Sequence, residues 1–341
     1  MIRSMYSGIS GLKNFQTKLD VIGNNISNVN TYGFKKGRTV FKDLISQTTS
    51  GASAATGTRG GVNAKQVGLG SQLSAIDTIH SGGSLQSTGN TLDLAISGDG
   101  FFQVADGNAA EPTDYLNTQY TRAGNFYMDS NGYLVNSDGK YLVGFSASAK
   151  GNLSTTNADG TTTTTNDQIL HPTPEQMKAT FNYNATGGPA VTGTANSTID
   201  KLPDGVSFTQ TNATVSYKPI IIPTTAQSMS IGQDGTVTYV DQFGTLRWAG
   251  QITMAKFANP GGLEKAGGNY FRESSNSGEP VYNAANSGGN GSVQSGFLEM
   301  SNVDLSEEFT DMIVAQRGFQ ANTRIITTSD QILEELVNLK R

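Results

Sequence analysis

The side chains with chemistry to offer are few and poorly spaced for it. His80 and His171 stand apart in polar sequence, with no H-x-x-x-H spacing and no paired carboxylate motif, so neither is expected to act as a general base. Gly98-Asp99-Gly100 begins a G-x-G, but Gln103 stands where a dinucleotide loop needs its third glycine, and Phe101-Phe102 follows instead of a helix. Asp129-Ser130-Asn131-Gly132 has the acidic start of a calcium loop without its ligand spacing or closing glutamate, and reads as a turn. The sequons at Asn184, Asn196 and Asn212 lie in a Thr/Asn-rich region where chance accounts for them. Cysteine is absent, which removes disulfides, thiolate metal sites and a cysteine nucleophile together. No catalytic, cofactor-binding or metal-binding residue is expected, and no enzyme. What remains is amide chemistry. The stretch GNNISNVNTYGFKKG, residues 23–37, carries Asn24, Asn25, Asn28 and Asn30, whose side chains both donate and accept.

That stretch closes a segment with helical spacing. Ile2, Met5, Ile9, Leu12, Phe15, Leu19, Ile22, Ile26 and Val29 follow one another at steps of three or four, the pattern of one helix face. Gly8 and Gly11 each cost about 1 kcal/mol in a helix interior, so this helix needs a partner. The C-terminus offers one. Leu305, Met312, Phe319, Ile326 and Leu333 recur every seven positions, with Phe309, Gln316, Thr323, Asp330 and Val337 as a half-polar second seam. Asp304 with Glu307 reads as a capping box opening this helix, which Gly318 interrupts. The polar half of the seam points to lateral packing in an assembly rather than a dry zipper. The ends also differ in sign, the first basic (Arg3, Lys13, Lys18, Lys35, Lys36, Arg38, Lys42) and the last mainly acidic, which favours their meeting. Two solvated helix faces are the plain alternative.

The rest of the chain reads differently. Net charge is -5 from 23 basic and 28 acidic residues, without the basic excess of a general nucleic-acid binder. Apolar residues make up 35% and charged ones 15%, with 41 glycines, a mix suited to short strands and many turns. The first residues, MIRSMYSGISGLKNF, lack an apolar h-region, so a cleaved secretory signal is not expected, and no run approaches the ~20 apolar residues of a membrane span. Residues 46–70 are Gly/Ser/Thr/Ala-rich and read as a linker or extended arm. Strands broken by Ser130-Asn131-Gly132, Asp138-Gly139, Asp234-Gly235 and Phe243-Gly244 fill 71–145 and 220–300. Between them, 146–219 is low-complexity and polar before turning strand-like, an inserted outer β-domain or a disordered insert. The expected fold is mixed α and β: helical ends (1–45 with 301–341) paired in a coiled-coil-like domain, a mainly-β body, and the insert.

LDVIGNNISNVNTYGFKK (19–36), LDLAISGDGFFQV (92–104), YTRAGNF (120–126) and SNVDLSEEFTDMIVAQRGFQAN (301–322) resemble the flagellar rod and hook proteins of bacteria, in the same order along the chain. The resemblance covers roughly 1–145 and 220–341. It implies terminal segments that are unfolded in the secreted monomer and fold into paired helices lining a tube as subunits stack, with β-domains outside. Within the family, the 146–219 insert and ILEELVNLKR look hook-like, so the expected function is a structural subunit of the flagellar hook, a curved and flexible torque-transmitting tube. MIRSMYSGISGL and 46–70 resemble a distal-rod protein, a straight rigid shaft, which stays open beside it. A secreted β-rich adhesin or binding module is the remote alternative. Some hooks carry a lysinoalanine cross-link that needs a cysteine, which this chain lacks.

The partners implied are further copies of the chain, rod proteins, the hook cap, hook–filament junction proteins and the flagellar type III export apparatus, with no nucleic acid and no membrane insertion. The location implied is extracellular, in the hook and basal body. Residues expected at subunit interfaces are Ile2, Met5, Ile9, Leu12, Phe15, Leu19, Ile22 and Ile26 on the first helix, and Leu305, Phe309, Met312, Gln316, Phe319, Ile326 and Leu333 on the last. Asn24, Asn25, Asn28, Gly33 and Phe34 join them at the helix exit. There the amides satisfy frayed backbone groups or pair with neighbouring subunits, Gly33 takes a positive φ, and Lys35 and Lys36 suit the negative end of the helix dipole.

Overall fold

The computed structural model describes residues 2–107, 116–157, 159–174, 180–182, 190–192, 196–198, 202–204, 206–208 and 212–339. Two units divide the chain. The first comprises Met1–Asn30, Lys35–Ser81 and Asn302–Arg341, the second Thr31–Phe34 and Gly82–Ser301.

In the first unit the periodic ends form the expected helices, α1 (Ile2–Ser27) and α2 (Leu305–Asn338). Asp304 caps α2, its carboxylate accepting from Ser306 N at 2.8 Å and Glu307 N at 3.4 Å. The Glu307 side chain does not close a capping box; it lies 2.7 Å from Lys36 Nζ. The two helices run antiparallel, and their glycines are where they approach most closely. A Cβ on Gly8 would stand 3.4 Å from Ile326, one on Gly11 would press on the Asn322 amide at 2.8 Å, and one on Gly318 would enter the Phe15 ring at 2.5 Å. What looks like a helix defect in sequence is thus a packing requirement. The same closeness corrects the expected seam. Glu308, Ala315 and Ser329 are the buried residues of α2, with Asn322 half-buried between them. This heptad sits one position before Phe309, Gln316, Thr323, Asp330 and Val337, all of which are exposed. A seam built against glycine holds small and polar side chains beside Ile326, which lies against Gly8, while Phe309, Phe319 and Val337 turn outward.

Two strands complete this unit. Gly37–Asp43 pairs antiparallel with Ser71–Thr78, and Asn14 of α1 donates to Ser71 Oγ at 2.9 Å. Residues 71–78, expected in the β body, therefore belong with the helices. The segment 46–70 is not a structureless linker either. Ser46–Ser50 pairs with Lys65–Gly68, and isolated bridges join Ser53 to Val62 and Thr56 to Arg59, making a hairpin arm whose strand residues are all exposed. Thr48, Thr49 and Val67 are β-branched and suit extended strands even where nothing is buried.

The second unit is antiparallel β. Tyr141–Thr156 lies between Asn212–Pro219 and Leu246–Lys256, and the sheet continues through Phe101–Asp106, Leu116–Thr121, Tyr270–Arg272 and Glu264–Gly267. Phe102, Val104, Phe126, Leu134, Leu142, Ile220, Val237, Ile252 and Met254 fill the core, all essentially sequestered from solvent. The hairpin turns are fastened by Asx side chains. Asp129 Oδ1 accepts from Asn131 N and Tyr133 N, and Asp241 Oδ1 accepts from Phe243 N and Thr245 N. The candidate calcium-loop aspartate is consumed by its own turn. The insert has no boundary at 146: Tyr141–Thr156 runs straight through, its distal half pairing with Thr162–Leu170 and Val206–Phe208. Sheet hydrogen bonding carries the body into the insert without a linker. No helix among the described residues is long and apolar enough to cross a membrane.

Candidate assembly site

The asparagine-rich exit of α1 is a hydrogen-bonded clip. Asn25, 1% exposed, accepts from Gly37 N at 2.9 Å and donates to Gly37 O at 2.9 Å and to Glu308 Oε2 at 3.1 Å. One amide thus ties the end of α1, the start of the first strand and the first turn of α2. Asn302 makes a second tie: its Oδ1 accepts from Lys36 N at 2.8 Å, and its Nδ2 donates to Ile79 O at 2.8 Å and to Ser81 Oγ at 3.0 Å. Asn28 donates to Asn24 O at 2.9 Å, closing the last turn on itself. The lysines do not serve the dipole of α1, whose last turn holds no basic residue. Lys35 is buried and donates to Ser81 O at 2.8 Å, and Lys36 pairs with Glu307. With Lys18–Asp311 at 3.3 Å, these pairs bring the basic and acidic ends together. They line a cavity of about 360 Å³ with Val21, Ile22 and Ile79 at its apolar wall.

The second unit has its own clasp, which the sequence reading missed. Arg122 and Glu299 form a buried ion pair at 3.2 Å, with Arg122 NH2 donating to Gly98 O at 2.8 Å and the guanidinium over the Phe101 ring. Glu299 Oε1 accepts from Gly83 N at 3.0 Å, and Glu299 O accepts from Gly33 N at 2.8 Å. Burial pulls the Arg122 guanidinium below its ordinary value, and Glu299 pulls it back. Gly33 has φ +71, as expected, and a Cβ there would stand 2.5 Å from Ala123 N. Phe34 is buried under Lys265, whose Nζ lies 5.2 Å from the ring centroid. A charge inside the apolar run Phe297-Leu298-Glu299-Met300 and an arginine in YTRAGNF were the available signals.

The expected interface residues fall into three groups. Ile22, Asn25, Gly33 and Phe34 are buried within their own units, so they shape the subunit and offer no surface to a second copy. Met5, Leu12, Phe15, Leu19, Ile26, Asn28, Met312, Ile326 and Leu333 are half-buried. Ile9, Asn24, Leu305, Phe309, Gln316 and Phe319 are exposed, and beside them Ile313 and Val314 are each 56% exposed. Ile2 lies in α1, with its side chain outside the described residues. Among the described residues no group of three or more His, Asp or Glu could hold a metal ion.

Asn25→Ala removes all three ties at once and is expected to lower the stability of the first unit by about 1–3 kcal/mol, because the Gly37 amide and Glu308 stay buried. Hydrogen exchange of the Gly37 N–H should speed up accordingly. Unchanged protection would mean that Asn25 is an ordinary loop amide.

Family models match three stretches. They describe the flagella basal body rod protein over residues 5–35, the D1 domain of the flagellar hook protein FlgE/F/G over 95–239, and the C-terminal part of the flagellar basal body rod FlgEFG protein over 294–339. Along its whole length the chain is 49% identical to the flagellar basal-body rod protein FlgG of Bacillus subtilis (strain 168), covering all of both chains. The chain belongs to the flagellar hook and basal-body rod protein family. It is also 37% identical to the flagellar hook protein FlgE of Borreliella burgdorferi, again over all of both chains. The flagellar hook protein FlgE of Escherichia coli (strain K12) is 30% identical over 97% of this chain and 98% of its own. These relatives are structural flagellar proteins, not enzymes, and this family member is a flagellar component, of the hook or of the basal body. The matched stretches hold both clips: Asn25 and Gly33 in the first, Arg122 in the second, Glu299 and Glu308 in the third.

Proposed function

We propose that the chain is the structural subunit of a flagellar hook, polymerising with its own copies into a curved tube that transmits torque. The observation that carries this reading is the outward continuation of the body sheet. Tyr141–Thr156 leaves the core and becomes the stem of an added set of strands, whose hairpin residues 161–166 are exposed threonines and an asparagine. Such a surface makes shallow, water-bridged contacts that exchange at low cost, where a large apolar face would lock. A tube that shortens and lengthens along each protofilament once per turn needs outer contacts of that kind. The inner wall is assigned to α1 and α2, ordered by stacking, whose outward apolar residues Phe309, Ile313 and Phe319 need cover. Export through the flagellar type III apparatus without a cleaved signal, and contact with rod, hook-cap and hook–filament junction proteins, belong to the same proposal.

A second reading is favoured by a different observation. The identity with a rod protein is 49%, against 37% with a hook protein, and the exposed arm 46–68 stands where the sequence has its rod-like character. A straight distal rod would follow, and the curvature of assembled tubes separates the two.

Phe319→Asp tests the assembly step common to both. A charge on the outward face of α2 is expected to abolish polymer in a sedimentation assay while the β body keeps its unfolding transition. Wild-type amounts of polymer from the variant would remove α2 from the assembly surface.

A further inference from the structure

Residues 171–173 follow the hairpin strand Thr162–Leu170 and lie against the body sheet, with His171 at 0% and Thr173 at 3% exposure. Their backbone is held from the body side. Trp248 N donates to Pro172 O at 2.8 Å, and Arg247 NH1 donates to His171 O at 3.3 Å. The His171 ring meets Tyr239 edge-on, with Nδ1 3.0 Å from the tyrosine hydroxyl. Its other nitrogen, Nε2, is buried and has no hydrogen-bond partner among the described residues.

The charges facing this ring are of one sign. Arg247 reaches it from Leu246–Lys256 and Lys218 from Asn212–Pro219, each disfavouring a further positive charge. Tyr239, on Thr236–Val240, is a phenol that burial keeps protonated. Asp241, the carboxylate beside Arg247, is already engaged, its Oδ2 by Arg247 Nε at 2.9 Å and its Oδ1 by two backbone N–H groups. A neutral imidazole fits this setting, with one nitrogen bonded and the other dry. A second proton would add a third cation and a buried N–H with no acceptor.

We propose that His171–Thr173 is an acid-released pin, which fastens the insert to the body while His171 is neutral and lets go as it is protonated. Burial, with Lys218 and Arg247 adding to it, pushes the imidazole from its ordinary 6.5 down to about 3. A lowered folded-state value means that the stabilisation is fully present above about 6.5 and is lost as pH falls from there towards about 3. The population with the pin open should rise about tenfold per pH unit in that window. This holds for a hook and for a rod subunit alike.

Trp248 is the single tryptophan of the chain and its N–H is one of the pin's own bonds, so the protein carries its reporter. Acrylamide quenching of Trp248, and exchange of its amide corrected for intrinsic rate, would be followed in the full chain from pH 7.5 to 4.5. Wild type should open about tenfold more per unit below about 6.5, His80→Phe should keep that slope, and His171→Phe should be flat. Equal slopes in wild type and His171→Phe, or no slope in wild type, would overturn the pin. Should His171→Phe fail to fold, the imidazole resonances of wild type decide. A His171 still neutral well below pH 6.5 supports the pin, and one titrating near 6.5 in the folded chain ends it.

Discussion

Gly33→Ala is expected to lower the unfolding free energy of the β unit by about 2–5 kcal/mol, adding the cost of a left-handed conformation to that of a clash. Residue 33 has φ +71, and the new methyl would stand 2.5 Å from Ala123 N and 2.6 Å from Arg122 C. Both obstacles are backbone, so no side-chain rotation relieves them. Moving the chain aside would break the Gly33 N to Glu299 O bond of 2.8 Å. Urea unfolding read by Trp248, which lies in the same unit, measures the loss. A shift below about 0.5 kcal/mol would mean that 31–34 is free to relax, and that the clasp does not fix it.

Glu299→Ala should destabilise the same unit by about 3–5 kcal/mol, the usual consequence of leaving one buried charge without its partner. Arg122 would keep Gly98 O at 2.8 Å and the Phe101 face but lose its carboxylate, and Gly83 N would lose its acceptor. Arg122→Met alone strands the carboxylate instead and should cost a similar amount. Arg122→Met combined with Glu299→Leu should recover most of the loss, since an apolar pair can replace a buried ion pair. The cycle distinguishes a paired charge from two independent packing losses, because additive effects in the double variant would rule out coupling.

The two helices, the hairpin turns and the β body were legible because periodicity and turn chemistry are local. Ile2 to Val29 at steps of three and four, and Asp or Asn before the tight turns, carry their own explanation. The seam of α2 was not. Of the large apolar heptad residues Ile326 does lie against Gly8 of α1, yet the buried positions of α2 are Glu308, Ala315 and Ser329, and Gly11 and Gly318 mark where the helices come close. Sequence shows which side chains are apolar, but not which face the closer approach selects. The placement of 71–78 failed for a similar reason: its partner strand, Gly37–Asp43, lies far off in sequence, and pairing of that kind leaves no local trace.

The amides of 23–37 stand out in the sequence but their partners do not, and only Asn28, donating to Asn24 O at 2.9 Å, satisfies a backbone group at the helix end in the expected way. Asn25 instead spends all three hydrogen bonds on its own chain. The Arg122–Glu299 pair is less visible still, since the two residues are separated by most of the β unit. His171 looked like a histidine in polar sequence. Its burial comes from Tyr239 and Arg247, more than sixty residues further along the chain, which local composition does not reveal.

Electron microscopy of polymer grown from the purified full chain decides between the proposed curved hook and a rod. A hook subunit should give tubes with persistent curvature that straighten and re-bend without breaking. Straight, rigid tubes would contradict the hook reading and assign the chain to the distal rod.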